Sequence, residues 1–119
     1  FIINGDDQQL YRVFINLIKN SNEAIIENSN KNADFKGKIE IEIHEINDYI
    51  LINLKDNGPG ISDPKKAMNP YFTTKKKGTG LGLPIVSKII NEHSGDILIT
   101  NNKDEPGTRV EISFPKFKK

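Results

Sequence analysis

The 119 residues of this chain predict one α/β domain built as a two-layer sandwich. Three observations carry that expectation. Apolar residues recur at helical spacing near the N-terminus and again after residue 82, apolar and polar residues alternate over four shorter stretches, and the length leaves room for a single core. A chain of this size buries roughly two-thirds of its unfolded surface, and a 35% hydrophobic content supplies a core without cross-links. Cysteine is absent, which excludes disulfide and thiolate chemistry. With 17 Lys and Arg against 16 Asp and Glu the net charge is +1, remote from the strongly basic balance of a dedicated nucleic-acid binder, so no nucleic-acid partner is expected. No apolar run approaches the ~18 residues of a membrane span, and no membrane contact by this segment is expected. The chain opens on Phe1-Ile2-Ile3 rather than on Met, from which we expect a piece of a longer protein.

The first helix is predicted over residues 6 to 27. Asp6 and Asp7 are the candidate N-cap and first-turn acids, and Leu10, Val13, Phe14, Leu17, Ile18, Ala24 and Ile25 fall on one core-facing stripe. A polar loop, residues 28 to 37, closes at Gly37. Ile39, Ile41 and Ile43 then alternate with Glu40, Glu42 and His44, the period of a half-buried strand. After a turn at Asn47-Asp48, a second strand puts Ile50, Ile52 and Leu54 on one face, and Asp56 shares their parity. Residues 57 to 82 hold most of the glycine and proline breakers and predict a long, partly mobile loop of the kind that carries function. A second helix follows from Leu83 to His93, with Pro84 in its first turn, where a missing N–H does no harm. Two strands, Asp96 to Asn101 and Thr108 to Phe114, form a closing hairpin around Lys103 to Gly107.

Three places hold residue types that could carry chemistry. Asn16 and Asn20 lie four apart on one flank of the first helix, at the rim of the apolar stripe. An amide oxygen is a neutral hard ligand suited to completing the shell of a nucleotide-bound Mg²⁺; equally, the pair could be ordinary residues of a solvated face. Asp56 is delivered to the buried side where its strand ends, just before Asn57-Gly58-Pro59-Gly60-Ile61. An unpaired buried carboxylate costs several kcal/mol by the usual ~ranges, so it needs a donor. An exocyclic amine such as that of adenine would serve, and so would the Asp capping its own turn. Finally, Gly78-Thr79-Gly80-Leu81-Gly82-Leu83 runs into the second helix, whose first N–H groups and dipole favour an anion such as phosphate, with Lys75, Lys76 and Lys77 just upstream. The alternative is a flexible hinge. The spacing is neither the dinucleotide fingerprint nor a P-loop. His44, on a polar strand face, and His93, at a helix end, are read as structural or solvated, and zinc, haem and triad chemistries lack their parts.

In order along the chain these elements resemble the catalytic ATP-binding domain of bacterial sensor histidine kinases, in the superfamily that includes gyrase, Hsp90 and MutL. Asn16 to Ala24 resembles the N box, Asp56 to Ile61 the G1 box, Pro70-Tyr71-Phe72-Thr73-Thr74-Lys75 the F box, Gly78 to Leu83 the G2 box, and Gly107-Thr108 the Gly-Thr before the last strand. The Phe-Thr-Thr-Lys stretch and short lid are most similar to the nitrogen-regulation class.

The resemblance implies the Bergerat ATP-binding fold, a mixed sheet with about three helices on one face, over residues 1–119. It implies ATP and Mg²⁺ as ligands. Asn20 would bind the metal, Asp56 would read the adenine amine, Gly58 and Gly60 would shape that pocket, and Thr108 would support it through water. Ile61, Phe72, Thr73, Thr74, Lys75, Gly78, Thr79, Gly80, Leu81, Gly82 and Leu83 would complete the nucleotide site, with residues 62 to 77 as its lid. In hydrolytic relatives the position resembling Asn16 holds a Glu that activates water. An amide accepts no proton at neutral pH, so Asn16 implies phosphotransfer to a histidine rather than rapid hydrolysis. The main alternative is an ATP-gated conformational ATPase of the gyrase, Hsp90 and MutL kind; another is a nucleotide-binding regulatory module without transfer. The acceptor histidine is expected on a separate dimerisation domain of the same parent protein, since neither His44 nor His93 matches that motif. The fragment alone is therefore expected to be inactive in autophosphorylation. A response regulator is the implied partner of the full-length kinase. The setting implied is cytoplasmic, with a parent that is free to be membrane-anchored.

Overall fold

A computed structural model describes residues 3, 5–31, 34–60, 82–103 and 105–117, with the backbone alone at 28–31 and 82. Two helices and four strands follow in the order α1 (Asp7–Lys31), β1 (Ile39–Ile46), β2 (Tyr49–Asp56), α2 (Gly82–Glu92), β3 (Asp96–Asn101) and β4 (Thr108–Pro115). Asp6 caps α1: its Oδ1 accepts the Gln8 and Gln9 N–H groups, both at 3.0 Å, and so satisfies two of the donors that a helix start leaves open. The helix runs four residues beyond its expected end, through Asn-rich sequence of weak helix preference.

The sheet order is β1-β2-β4-β3. All pairings among the described residues are antiparallel, where a mixed sheet is expected, and two helices are described where about three are expected. Short turns join β1 to β2 and β3 to β4, and such turns force antiparallel neighbours. The first turn places Asn47 at φ 54, a left-handed conformation that Asn tolerates.

Register aligns the core in rows across the sheet. Leu54 of β2 stands opposite Val110 and, through it, Ile99; Ile52 stands opposite Ile112 and Ile97; Ile50 stands opposite Phe114. Val13 and Leu17 of α1 and Val86, Ile89 and Ile90 of α2 close over these rows. Each such side chain contributes about 1.5–3 kcal/mol on burial, against about 0–1 kcal/mol for an exposed ion pair. The core, not the surface charge, holds the fold.

Two apolar assignments differ from expectation. Ile18 is 37% exposed, and Ile41 and Ile43 are about half exposed, at 48% and 49%. β1 is an edge strand, and the helices cover the β2, β4 and β3 columns, so the inner face of β1 lies at the margin of the second layer. Ile18 sits on the same flank of its stripe that turns away from the core.

His93 ties the two helices together. Its Nδ1 donates to Ile89 O at 2.8 Å, and its Nε2 accepts the Asp6 N–H at 3.0 Å, which joins the end of α2 to the cap of α1. This is the structural role expected of it. His44 is exposed beside Glu42, at 3.1 Å.

Candidate functional site

β2 ends at Asp56, and period-two geometry carries its side chain to the same buried side as Ile50, Ile52 and Leu54. The residue is 5% exposed. Its Oδ1 accepts the Gly58 N–H at 3.0 Å and the Thr108 N–H at 3.2 Å. The first bond is the Asp capping its own turn, so that use is real, and it occupies one oxygen. Among the described residues Oδ2 accepts no hydrogen bond. A buried carboxylate with one oxygen fastened by two main-chain donors is a rigid acceptor for a ligand donor.

The glycines around Asp56 are there for space and backbone angle. Gly107 adopts φ 125, and a Cβ there would stand 1.9 Å from the Asp56 carbonyl oxygen, so only glycine lets the start of β4 lie against the end of β2. Gly60 adopts φ 85 and faces the Asn101 side chain. At Gly58 a Cβ would stand 3.0 Å from the Ala24 Cβ. That close approach brings the end of β2 against α1 one turn beyond Asn20. The half-buried flank that carries Asn16 and Asn20 therefore belongs to the helix that packs on the Asp56 turn. Asn20 is itself engaged in a polar interaction within the fold. Thr108, 8% exposed, reaches Asp56 directly through its own N–H.

Two asparagines that sequence reasoning passed over frame this corner. Asn57 accepts the Lys38 N–H on Oδ1 at 2.7 Å, donates from Nδ2 to Lys36 O at 2.8 Å, and donates its own N–H to Lys38 O at 3.2 Å. It thereby pins the segment between α1 and β1 to the Asp56 turn. Asn102 donates from Nδ2 to the Asp56 carbonyl at 2.9 Å. The signal for Asn57 was its place inside Asp-Asn-Gly-Pro-Gly; for Asn102 there was none, because Asn is abundant throughout this chain. Nearby, Lys38 and Glu40 pair at 2.7 Å on the surface; their hydrogen bond, and then their mutual charge, raise the lysine pKa and lower that of the glutamate.

α2 begins at Gly82, with Leu83 half-buried against the core, so the glycine-rich run does lead into a helix N-terminus. Ile61, Phe72, Thr73, Thr74, Lys75, Gly78, Thr79, Gly80 and Leu81, and the expected lid, lie outside the described residues. An open depression beside His93 and Lys116 sits at the other end of the sheet, away from Asp56. Among the described residues no group of three or more His, Cys, Asp and Glu side chains could hold a metal ion.

A family model described as histidine kinase-, DNA gyrase B-, and HSP90-like ATPase matches residues 5–118. The chain is 42% identical over 118 residues to sporulation kinase A of Bacillus subtilis (strain 168), covering 96% of this chain and 18% of that protein. It is 39% identical over 111 residues to a protein of Rickettsia felis named as an NtrY-like sensor histidine kinase, covering 92% of this chain and 17% of that one. Among solved structures, the nucleotide-free catalytic domain of histidine kinase ThkA superimposes with a TM-score of 0.77 at 33% identity, covering 96% of this chain and 70% of that chain. The chain thus spans about a fifth of the length of these curated relatives. Sporulation and NtrY-like kinases match alike, so the likeness extends to sensor kinases as a group and only loosely to the nitrogen-regulation class.

Proposed function

The chain belongs to the histidine kinase-, DNA gyrase B- and HSP90-like ATPase family, as the ATPase-like domain of a sensor histidine kinase, and on that premise we propose that it binds Mg·ATP and presents the γ-phosphate to a histidine on a separate dimerisation domain of its parent protein. The observation that carries the reading is Asp56. Its Oδ1 is taken by Gly58 and Thr108, and its other oxygen is left as an acceptor at the buried end of β2. The exocyclic amine of adenine is the donor that matches it, and the apolar neighbours Ile52 and Leu54 favour a ring over a small cation.

Asn20 would hold the Mg²⁺ through its amide oxygen. Bound there with ATP, the ion supplies charge neutralisation for the transferring phosphoryl group. Gly82, at the start of α2, and the glycines before it would receive the phosphates on main-chain N–H groups. Asn16, on the same flank as Asn20, cannot take a proton. The residues of this chain therefore bind and orient, and the attacking imidazole supplies its own lone pair. The same absence of a carboxylate disfavours the gyrase- and Hsp90-like alternative, in which water must be activated. Ile61, Phe72, Thr73, Thr74, Lys75, Gly78, Thr79, Gly80, Leu81, Leu83 and Thr108 complete the proposed nucleotide site. Such a domain works in two-component signalling, with a response regulator as downstream partner of the full-length kinase, in the cytoplasm. No described helix is long and apolar enough to cross a membrane.

The test mixes this domain with the helical domain that precedes it in its parent and with γ-labelled ATP. Acid-labile phosphate on the helical domain is the expected result. Rapid release of free phosphate by this domain alone, with none transferred, overturns the kinase reading.

A further inference from the structure

Asn102 lies just past the end of β3, ahead of the turn into β4, and its side chain reaches across the end of the sheet. Nδ2 donates to the Asp56 carbonyl at 2.9 Å and to Pro106 O at 3.2 Å, while its main-chain N–H donates to Gly107 O at 3.0 Å. The orientation of the amide follows from its partners: turned over, Oδ1 would face two carbonyl oxygens with no proton between them. Oδ1 is then buried, and it accepts no hydrogen bond among the described residues. A buried acceptor without a donor costs stability. Both protons of this amide nevertheless go to the segments that surround Asp56.

We propose that Asn102 is a positioning residue for purine discrimination. Clamping the Asp56 carbonyl fixes the backbone from which the carboxylate springs. Gly58 and Thr108 fix Oδ1, and together these contacts set the direction of Oδ2. Hydrogen bonds weaken steeply when misaligned, so a loosened carboxylate loses much of its bond to a 6-amino purine. A 6-oxo purine presents a carbonyl at the same place and is repelled; loosening relieves that repulsion. The two nucleotides therefore respond unequally, ATP losing affinity and GTP holding its own, which a general collapse of the site does not produce. This inference rests on the reading of the chain as an ATP-binding domain.

Calorimetric titration of Mg·ATP and Mg·GTP into the chain, Asn102→Ala and Asn102→Ser, with circular-dichroism melts alongside, tests it. The alanine variant is expected to lose about tenfold in ATP affinity, to keep GTP affinity within about twofold, and so to lower the ATP preference about fivefold or more, with the serine variant, which keeps one donor, in between. An equal fall for both nucleotides, or an unchanged preference, overturns the inference. If the alanine variant does not fold, the serine variant is judged by the same criteria. An unmutated chain that binds neither nucleotide removes the ATP-binding reading itself. An unmutated chain that prefers ATP, with variants that keep that preference, removes only the role of Asn102.

Discussion

Replacing Asp56 by Asn alters one oxygen of the carboxylate and separates its two uses. The amide oxygen can still accept the Gly58 and Thr108 N–H groups, which lie 3.0 and 3.2 Å from Oδ1, so the β2 end and the start of β4 stay joined. The other oxygen becomes an NH₂ group and meets the adenine amine donor to donor. Loss of a hydrogen bond to a charged group there costs about 1.5–3 kcal/mol, or roughly 10- to 150-fold in Kd at ~1.4 kcal/mol per decade. Asp56→Ala supplies the contrast. It leaves two buried N–H groups without an acceptor, at about 1–3 kcal/mol each, and lowers the melting temperature by at least several degrees. Calorimetry with Mg·ATP and thermal melts on both variants are the assay. The Asn variant is expected to melt within a few degrees of the parent and to bind ATP far more weakly. Retention of ATP affinity within about twofold would refute the assignment of the free oxygen to a ligand donor, and an Ala variant as stable as the parent would refute the account of Oδ1.

Gly107→Ala places a Cβ 1.9 Å from the Asp56 carbonyl at φ 125, and a loss of about 3 kcal/mol or more is expected; an unshifted thermal melt contradicts the described contact between β4 and β2. Asn20→Ala is expected to remove most of the Mg²⁺ dependence of ATP binding, while the exposed Asn22→Ala keeps it; parallel titrations with and without the metal decide this, and two variants that both keep the dependence would place the metal ligand elsewhere. The isolated chain is expected to hydrolyse Mg·ATP only slowly and not to phosphorylate itself, as phosphate-release and acid-stability assays would show. Asn16→Glu puts a carboxylate one turn before Asn20, and turnover measured together with affinity distinguishes an activated water from simple repulsion of the triphosphate.

Local periodicity made the elements legible. The stripe from Leu10 to Leu17, the alternation Ile50-Ile52-Leu54 and the hairpin around Gly107 each depend on neighbours two to four residues apart, and the structure places them within a few residues of expectation. The parity of Asp56 with that strand's apolar residues was enough to predict its burial. Less legible was the apolar face of β1. Ile39, Ile41 and Ile43 alternate as cleanly as the residues of β2, yet Ile41 and Ile43 stand half exposed, because periodicity says which residues share a face and not whether a second layer extends over it.

The order of amino acids defines the chemistry on offer: one core, a buried acid at a strand end, an amide rather than a carboxylate at position 16, and a glycine-rich run ahead of a helix. Those follow from residue type and spacing, which act over one or two turns. How the acid is held depends on long-range packing. Thr108 and Asn102 lie 52 and 46 residues from Asp56 along the chain, and no local pattern indicates that a main-chain N–H from one and a side-chain amide from the other will converge on it. They meet because β4 inserts between β2 and β3 in the sheet, and because Gly107, lacking a Cβ, lets the two backbones approach closely enough to bond.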